Sequence, residues 1–463
     1  MGCSRVLWAQ RTYSYTDSLF EASYVKTIDK LNVMYSTKRG IGLSGCELPY
    51  GYYDTQGFFR EQVRESLLSS DFTPGTGFVL YHQEGNELHT FLLTSKFLVH
   101  GSRFVVPDTF RRWLEELRLN LGVEEQTNSR KPAARGATVQ AQDWTPHMGY
   151  DPVTDSLSNC LFPPEIRPHL TGLKHLIIQP QHAIGLIPFY ILKPYPDRTV
   201  LFIDSLSYSL CPHICNFKET SMDKYRNGYD KLRYGGFSSL VVGDPSYSQL
   251  EFTFPELPGT LEETRTIHSL ITRYYHRMLK DSSRWMANSQ KCHYLTGKEA
   301  TLGRVQEMAE QADIIYLACH GYFDYDRLLE NSFIALTPDE NDSTGFWRAK
   351  QIQRMHMQAS LVVLSACQTG TGKVYDGGFI QIGRSFFIAG ASNVVCSLWS
   401  VEDLATRDLM QAFFGKMMAL GRNPPELNMY QPAQFLRKAM LSVRKIHPEP
   451  AKWASFAVYG FSI

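Results

Sequence analysis

The chain has 463 residues, 43% of them apolar and 20% charged, an ordinary composition for a soluble globular protein with a core large enough to need neither disulfides nor metals. Its 47 basic and 46 acidic residues leave a net charge of +1, so no global field recruits nucleic acid or an anionic membrane. Roughly 150 residues per domain makes two or three domains the expectation.

Nine cysteines, an odd number at irregular spacing, point to free thiols in a reducing compartment rather than a disulfide framework. No stretch reaches the 18 or so apolar residues of a spanning helix. The start, Met1-Gly2-Cys3, carries the residues an acylation signal uses, but Val6 stands where that signal needs Ser or Thr. A cytoplasmic protein is expected.

In chain order, residues 1–75 predict an N-terminal extension or helical adaptor, with helices over Tyr13–Ser36 and Thr55–Ser70. From Thr76 the pattern changes. Two strands, Phe78–His82 and Leu88–Thr94, flank the turn at Glu84-Gly85-Asn86. A third strand, Phe97–Val106, and a helix, Asp108–Leu121, follow. Glu124–Asp143 is polar and aperiodic, the pattern of a surface insertion. Leu176-Ile177-Ile178 is a short apolar run, and Ile184–Leu192 is broken by Pro188. Leu240–Pro245 predicts a buried strand, and Thr260-Leu261-Glu262-Glu263 a capping box opening a helix over Leu261–Leu279. Thr301–Gln311 is then helical, Asp313–Ala318 and Ser360–Ser365 are buried strands, Phe379–Ala389 is helical and Asn393–Leu398 is a buried strand. Helices alternating with doubly apolar strands predict an α/β fold whose mostly parallel sheet is covered on both faces. No repeat of 20–50 residues is present, so no solenoid is expected.

Two strand ends carry chemistry. Ile314–Ala318 runs into Cys319-His320-Gly321, and Leu361–Leu364 into Ser365-Ala366-Cys367-Gln368-Thr369-Gly370. Carboxyl ends of parallel strands form the ligand crevice of such a sheet. A thiol near pKa 8.5 is mostly protonated at neutral pH, and an adjacent imidazole raises its thiolate fraction and protonates a leaving amine. The amides of Gly321 and Cys367 are natural donors to an oxyanion. Each residue taken alone is more often a buried structural one; their joint placement, each followed by a loop glycine, brings the catalytic reading level with that. By two-residue alternation Cys319 points away from His320, into the core. Cys211, His213 and Cys215 lack a fourth ligand at suitable spacing, so neither metal nor cofactor is expected.

From Thr76 onward the chain resembles the CHAT domain, a family of caspase- and separase-related cysteine peptidases often joined to tetratricopeptide repeats. The resemblance rests on Leu176-Ile177-Ile178-Gln179-Pro180, Gly243-Asp244-Pro245, Leu257-Pro258-Gly259-Thr260 with Glu263, Gly297-Lys298-Glu299-Ala300-Thr301, Ala318-Cys319-His320-Gly321, Leu364–Gly370, Ala389-Gly390-Ala391, Ser397-Leu398-Trp399 and Trp453-Ala454-Ser455-Phe456. It implies a caspase-like sheet in two related halves, a degenerate one over 76–235 and an active one over 236–463. It also implies that His320 is the general base and Cys367 the nucleophile of an endopeptidase working through a thioester. Asp376-Gly377-Gly378 stands where the family has Gly-Glu-Gly, and the family's repeat array is missing. An activating protein partner would then be a separate chain.

Four residues are candidates for substrate contact: Asp324, which could instead orient the imidazole, Asp376, Asp403 and Arg407. The block Trp399–Asp403 is similar to one in separases, where a downstream acid recognises arginine before the scissile bond. Ungapped alignment places Arg407 at that acid's position, so an acidic or neutral residue is expected there, unless Arg407 is simply a solvated helix residue. Self-cleavage is conceivable within 124–143 or Asp339–Ser343. The rival from another class is a catalytically silent interaction module; a non-proteolytic acyltransferase would share only the thiolate.

Overall fold

A computed structural model describes residues 75–94, 98–121, 152–180, 182–195, 197, 200–211, 231, 236–247, 254, 258–281, 292–322, 328–365, 374–375, 378–379, 382–399, 402–419 and 432–460. The expected adaptor, the 124–143 insertion, Asp324, Cys367, Asp376, His213 and Cys215 lie outside these residues.

Sixteen strands are described: β1 Thr76–Glu84, β2 Glu87–Leu93, β3 Leu98–Phe104, β4 His175–Gln179, β5 Ser207–Leu210, β6 Ser239–Pro245, β7 Cys292–Gly297, β8 Ile314–Ala318, β9 Gly321–Tyr322, β10 Phe333–Ala335, β11 Phe346–Arg348, β12 Leu361–Leu364, β13 Val374–Tyr375, β14 Gly378–Phe379, β15 Asn393–Ser397 and β16 Phe456–Gly460. Eleven form one sheet, in the order β3-β2-β1-β4-β5-β16-β15-β12-β8-β6-β7. The strands β1, β4, β5 and β16 are parallel to one another. So are β15, β12, β8, β6 and β7, and the two runs meet antiparallel at β15 and β16. At the far edge β2 runs against both β1 and β3.

The central strands owe their place to their side chains. Ile314-Ile315-Tyr316-Leu317-Ala318 and Leu361-Val362-Val363-Leu364 are buried at every position, which requires cover on both faces. The helices that supply cover include α1 Pro107–Asn120, α2 Pro152–Leu161, α3 Pro258–Asp281, α4 Leu302–Gln311, α5 Ile382–Ile388, α6 Asp403–Met418 and α7 Pro432–Val443. In α3 the buried positions Thr260, Glu263, Thr264, Ile267, Ile271, Tyr274 and Met278 follow the helical period and lay one face on the sheet. Close approach there depends on Gly243 of β6, where a Cβ would fall 2.4 Å from Cγ2 of Thr264.

Two expectations need correction. The helix α3 begins at Pro258, so Thr260 is already inside it. The Glu263 carboxylate accepts hydrogen bonds from Tyr316 and Ser365 on the sheet, a tertiary role that a local motif could not reveal. The helix expected over Phe379–Ala389 is shorter, Ile382–Ile388, and Phe379 lies in β14. Around Pro188 the chain forms two 3₁₀ turns, His182–Leu186 and Phe189–Ile191, because proline lacks the amide that a longer helix would use.

Trp399 and Trp453 are buried packing residues; the indole N–H of Trp399 donates to the Ala451 carbonyl at 2.9 Å. No helix among the described residues is long and apolar enough to cross a membrane.

Candidate functional site

Strands β8 and β12 are neighbours in the sheet and parallel, with Leu317 opposite Leu364. The Ser365 amide donates to the Leu317 carbonyl at 2.8 Å, carrying the pairing past the end of β12. Cys319 is fully buried in the main core. The next residue, His320, leaves the sheet and enters a second, smaller layer, in which β9, β10 and β11 pair in the order β11-β10-β9.

His320 is fully buried. The ring of Phe254 lies nearly parallel to the imidazole, with centroids 5.0 Å apart and planes 24° apart. Tyr247 meets the imidazole at 5.1 Å and 57°. Its hydroxyl accepts the His320 backbone N–H at 3.2 Å. The Ala335 amide donates to the His320 carbonyl at 2.9 Å. Phe254, Phe333, Ala335 and Phe346 form an aromatic cluster separate from the main core, with Tyr247 and Tyr322 packed against it. The main chain of His320 is therefore held at both its N–H and its carbonyl, and its ring is set against aromatic faces.

The pairing of β9 with β10 also fixes the neighbouring glycine. Ala335 bonds to His320, and Gly321 is opposite Ile334. In an antiparallel ladder the hydrogen-bonded and non-hydrogen-bonded pairs alternate. Gly321 belongs to a non-hydrogen-bonded pair, so its N–H points away from β10.

Glu263 of α3, fully buried, meets the sheet near the ends of β8 and β12. One of its oxygens, Oε1, accepts a hydrogen bond from the Ser365 hydroxyl at 2.8 Å and another from the Tyr316 hydroxyl. Tyr316 is four residues before His320, and Ser365 two before Cys367. Sequence reading missed Glu263, Tyr316, Ser365, Tyr247 and Phe254. A signal existed for the first: a carboxylate on the buried stripe of α3 has to find a partner.

Asp403 and Arg407 come together elsewhere on the same scaffold, against the first turns of α3. A Cβ on Gly259 would lie 3.1 Å from the Asp403 carboxylate. Arg407 pairs with Glu262 of α3 at 3.2 Å and with Asp408 at 3.3 Å.

Three of the described thiols are held protonated by burial, which makes them poor nucleophiles. Burial pushes the Cys160 thiol up to about 12, and raises those of Cys292 and Cys396. Among the described residues, Cys160, Cys211, Cys292, Cys319 and Cys396 form no disulfide. Among the described residues no cluster of three or more His, Cys, Asp or Glu side chains is arranged to hold a metal ion.

The CHAT domain model matches residues 151–461. Tetratricopeptide repeat protein 28 of Homo sapiens is 22% identical over 326 residues, and its Mus musculus counterpart 24%. These alignments cover 63% of this chain but only 12% of the relatives' length. Among solved structures, the Saccharomyces cerevisiae separase–securin complex matches with a TM-score of 0.47 at 10% identity, over 86% of this chain and 30% of that one. The Arg-specific cysteine proteinase gingipain R gives a TM-score of 0.42 at 10% identity, over 67% of each chain. With two-thirds of its length matched by one family model, and with an α/β architecture of a mostly parallel sheet between helices, the chain belongs to the CHAT domain family.

Proposed function

We propose that the protein is a cysteine endopeptidase of the CHAT type, in which His320 is the general base and Cys367 the nucleophile. The observation that carries this reading is the register of β8 on β12. Leu317 and Leu364 are direct partners, and they stand three residues before His320 and Cys367 respectively. Adjacent strands run about 4.8 Å apart, so the two strands end side by side on one edge of the sheet. A thiolate formed with the help of His320 attacks the scissile carbonyl. The imidazolium then protonates the departing amine, and water resolves the thioester. The outward N–H of Gly321 supports its role as an oxyanion donor, with the amide of Cys367 as the second.

Asp324 and Asp376 are assigned to the cleft, and Asp403 with Arg407 to substrate recognition. The grouping of β1, β4 and β5 on one side of the sheet and of β15, β12, β8, β6 and β7 on the other, with β16 between them, accords with a degenerate half over 76–235 packed on an active half over 236–463. Free thiols accord with a reducing, cytoplasmic setting.

The complete burial of His320 favours a second reading, a latent enzyme or silent binding module whose site opens only when a protein partner engages it. One experiment separates the two. The purified chain and its Cys367→Ala variant are incubated with a proteome-derived peptide library, and cleavage sites are read by mass spectrometry. Cleavage that disappears in the variant supports the peptidase. Equal patterns from both proteins would remove it.

A further inference from the structure

The strand ends that lead to the proposed dyad share an anchor that belongs to neither strand. We infer that Glu263 is a positioning residue that sets the distance between the His320 and Cys367 loops, by holding Tyr316 and Ser365 on one carboxylate oxygen. This inference rests on the peptidase reading.

The geometry is specific. Glu263 comes from α3, which packs across the sheet, and its side chain is completely enclosed. Its Oε1 accepts the Ser365 hydroxyl at 2.8 Å and the Tyr316 hydroxyl as well. Main-chain pairing already fixes β8 against β12 up to Leu317 and Leu364. One further main-chain bond, from the Ser365 amide to the Leu317 carbonyl, closes the ladder. Ser365 is the first residue past β12, so a side-chain bond there governs where the next two residues begin. A carboxylate acceptor makes stronger hydrogen bonds than a neutral one. In a buried site no water competes for them. Both donors converge on one atom, so a displacement of either strand end is felt by the other. A nucleophile displaced by about 1 Å from its base can lose on the order of a hundredfold in rate, which makes such an anchor consequential.

The test is the rate at which iodoacetamide alkylates Cys367 at pH 7, followed on the Cys367 peptide by mass spectrometry. The reagent takes the thiolate, so the rate reports the help that the thiol receives from His320 and needs no peptide substrate. His320→Ala, which should slow alkylation at least tenfold, sets the scale. Ser365→Ala and Glu263→Leu should slow it about fivefold to tenfold. Glu263→Gln keeps an acceptor oxygen and should stay within about twofold of the wild type. In the Glu263→Leu background, Ser365→Ala should add nothing further.

A folded Glu263→Leu that melts at a lower temperature but alkylates at the wild-type rate would make Glu263 structural only, and would overturn the inference. If that variant does not fold, Ser365→Ala decides, because it deletes a single oxygen. Should His320→Ala leave the rate unchanged, the dyad itself falls and the positioning role with it. A slow His320→Ala beside a fast Ser365→Ala would leave the dyad standing and remove only the anchor.

Discussion

Phe254 stacks on His320, ring over ring, with centroids 5.0 Å apart and planes 24° apart. A contact of this kind is worth about 0.5–1.5 kcal/mol beyond the area it buries. Its greater effect is on direction, since the imidazole cannot turn about its own axis without losing the stacked face. Phe254→Leu should lower kcat about tenfold and leave KM nearly unchanged, the pattern of a lost transition-state geometry. Phe254→Tyr should retain most of the activity. The stack also shifts the His320 ring-proton resonances, and that shift should vanish in the leucine variant. Equal kcat in the leucine variant and the wild type would mean that the stack does not orient the base.

Arg407 tests specificity. It sits between Glu262 and Asp408 on the surface where α6 meets α3. If it reads the residue before the scissile bond, the wild type should prefer acidic or neutral residues there. Arg407→Glu should then move the preference toward Lys and Arg. Peptide-library profiles of the two proteins settle it; identical profiles would leave Arg407 as an ion-paired surface residue. The substitution should change stability by less than about 1 kcal/mol, because the pairs it breaks are partly exposed.

His175 should make the fold sensitive to mild acid. It is buried between β4 and β5, with its ring nitrogens 2.9 Å from the Ser207 hydroxyl and 3.2 Å from that of Ser209. Burial lowers its pKa from 6.5 to about 3. Between those values an unfolded His175 binds a proton that the folded one does not. Stability therefore falls as pH drops below about 6.5, by up to about 1.4 kcal/mol per unit, and this group adds no slope above that point. Urea unfolding between pH 7.5 and 4.5 should show a shallower acid slope in His175→Asn than in the wild type. Parallel slopes would show that His175 contributes nothing to the acid response.

Asp339 acts at lower pH. Burial alone would raise its pKa, but the N–H groups of Gly303, Asn341 and Asp342 outweigh that and lower it. Those bonds measure 2.7, 2.9 and 2.9 Å, and the first satisfies an otherwise orphaned amide at the start of α4. Asp339→Ala should cost about 1 kcal/mol, the usual worth of an N-terminal cap. The charged form contributes in full above the ordinary carboxylate pKa. Its contribution is lost as pH falls through the lowered folded value. Thermal melts should show the variant's deficit at pH 7 and a smaller one near pH 2.5. A deficit unchanged by pH would mean that the charge of Asp339 is not what caps the helix.

The sequence by itself determined the class of fold and the family. Runs such as Ile314–Leu317 and Leu361–Leu364 have no polar face, so they had to become buried strands, and helical stripes between them had to cover the sheet. The block Ala318-Cys319-His320-Gly321 was legible as the end of a buried strand for the same local reason. What surrounds His320 was not legible. Phe254 is 66 residues from His320 in sequence, and Glu263 is 102 from Ser365. Nothing in a local pattern distinguishes a phenylalanine that stacks on an imidazole from one that fills a core. Nor does a Thr-x-x-Glu spacing tell a cap from a carboxylate aimed at a distant sheet. Those roles depend on which surfaces meet when α3 lies down on β6, β8 and β12. That meeting is set by long-range packing, after every local preference has been met.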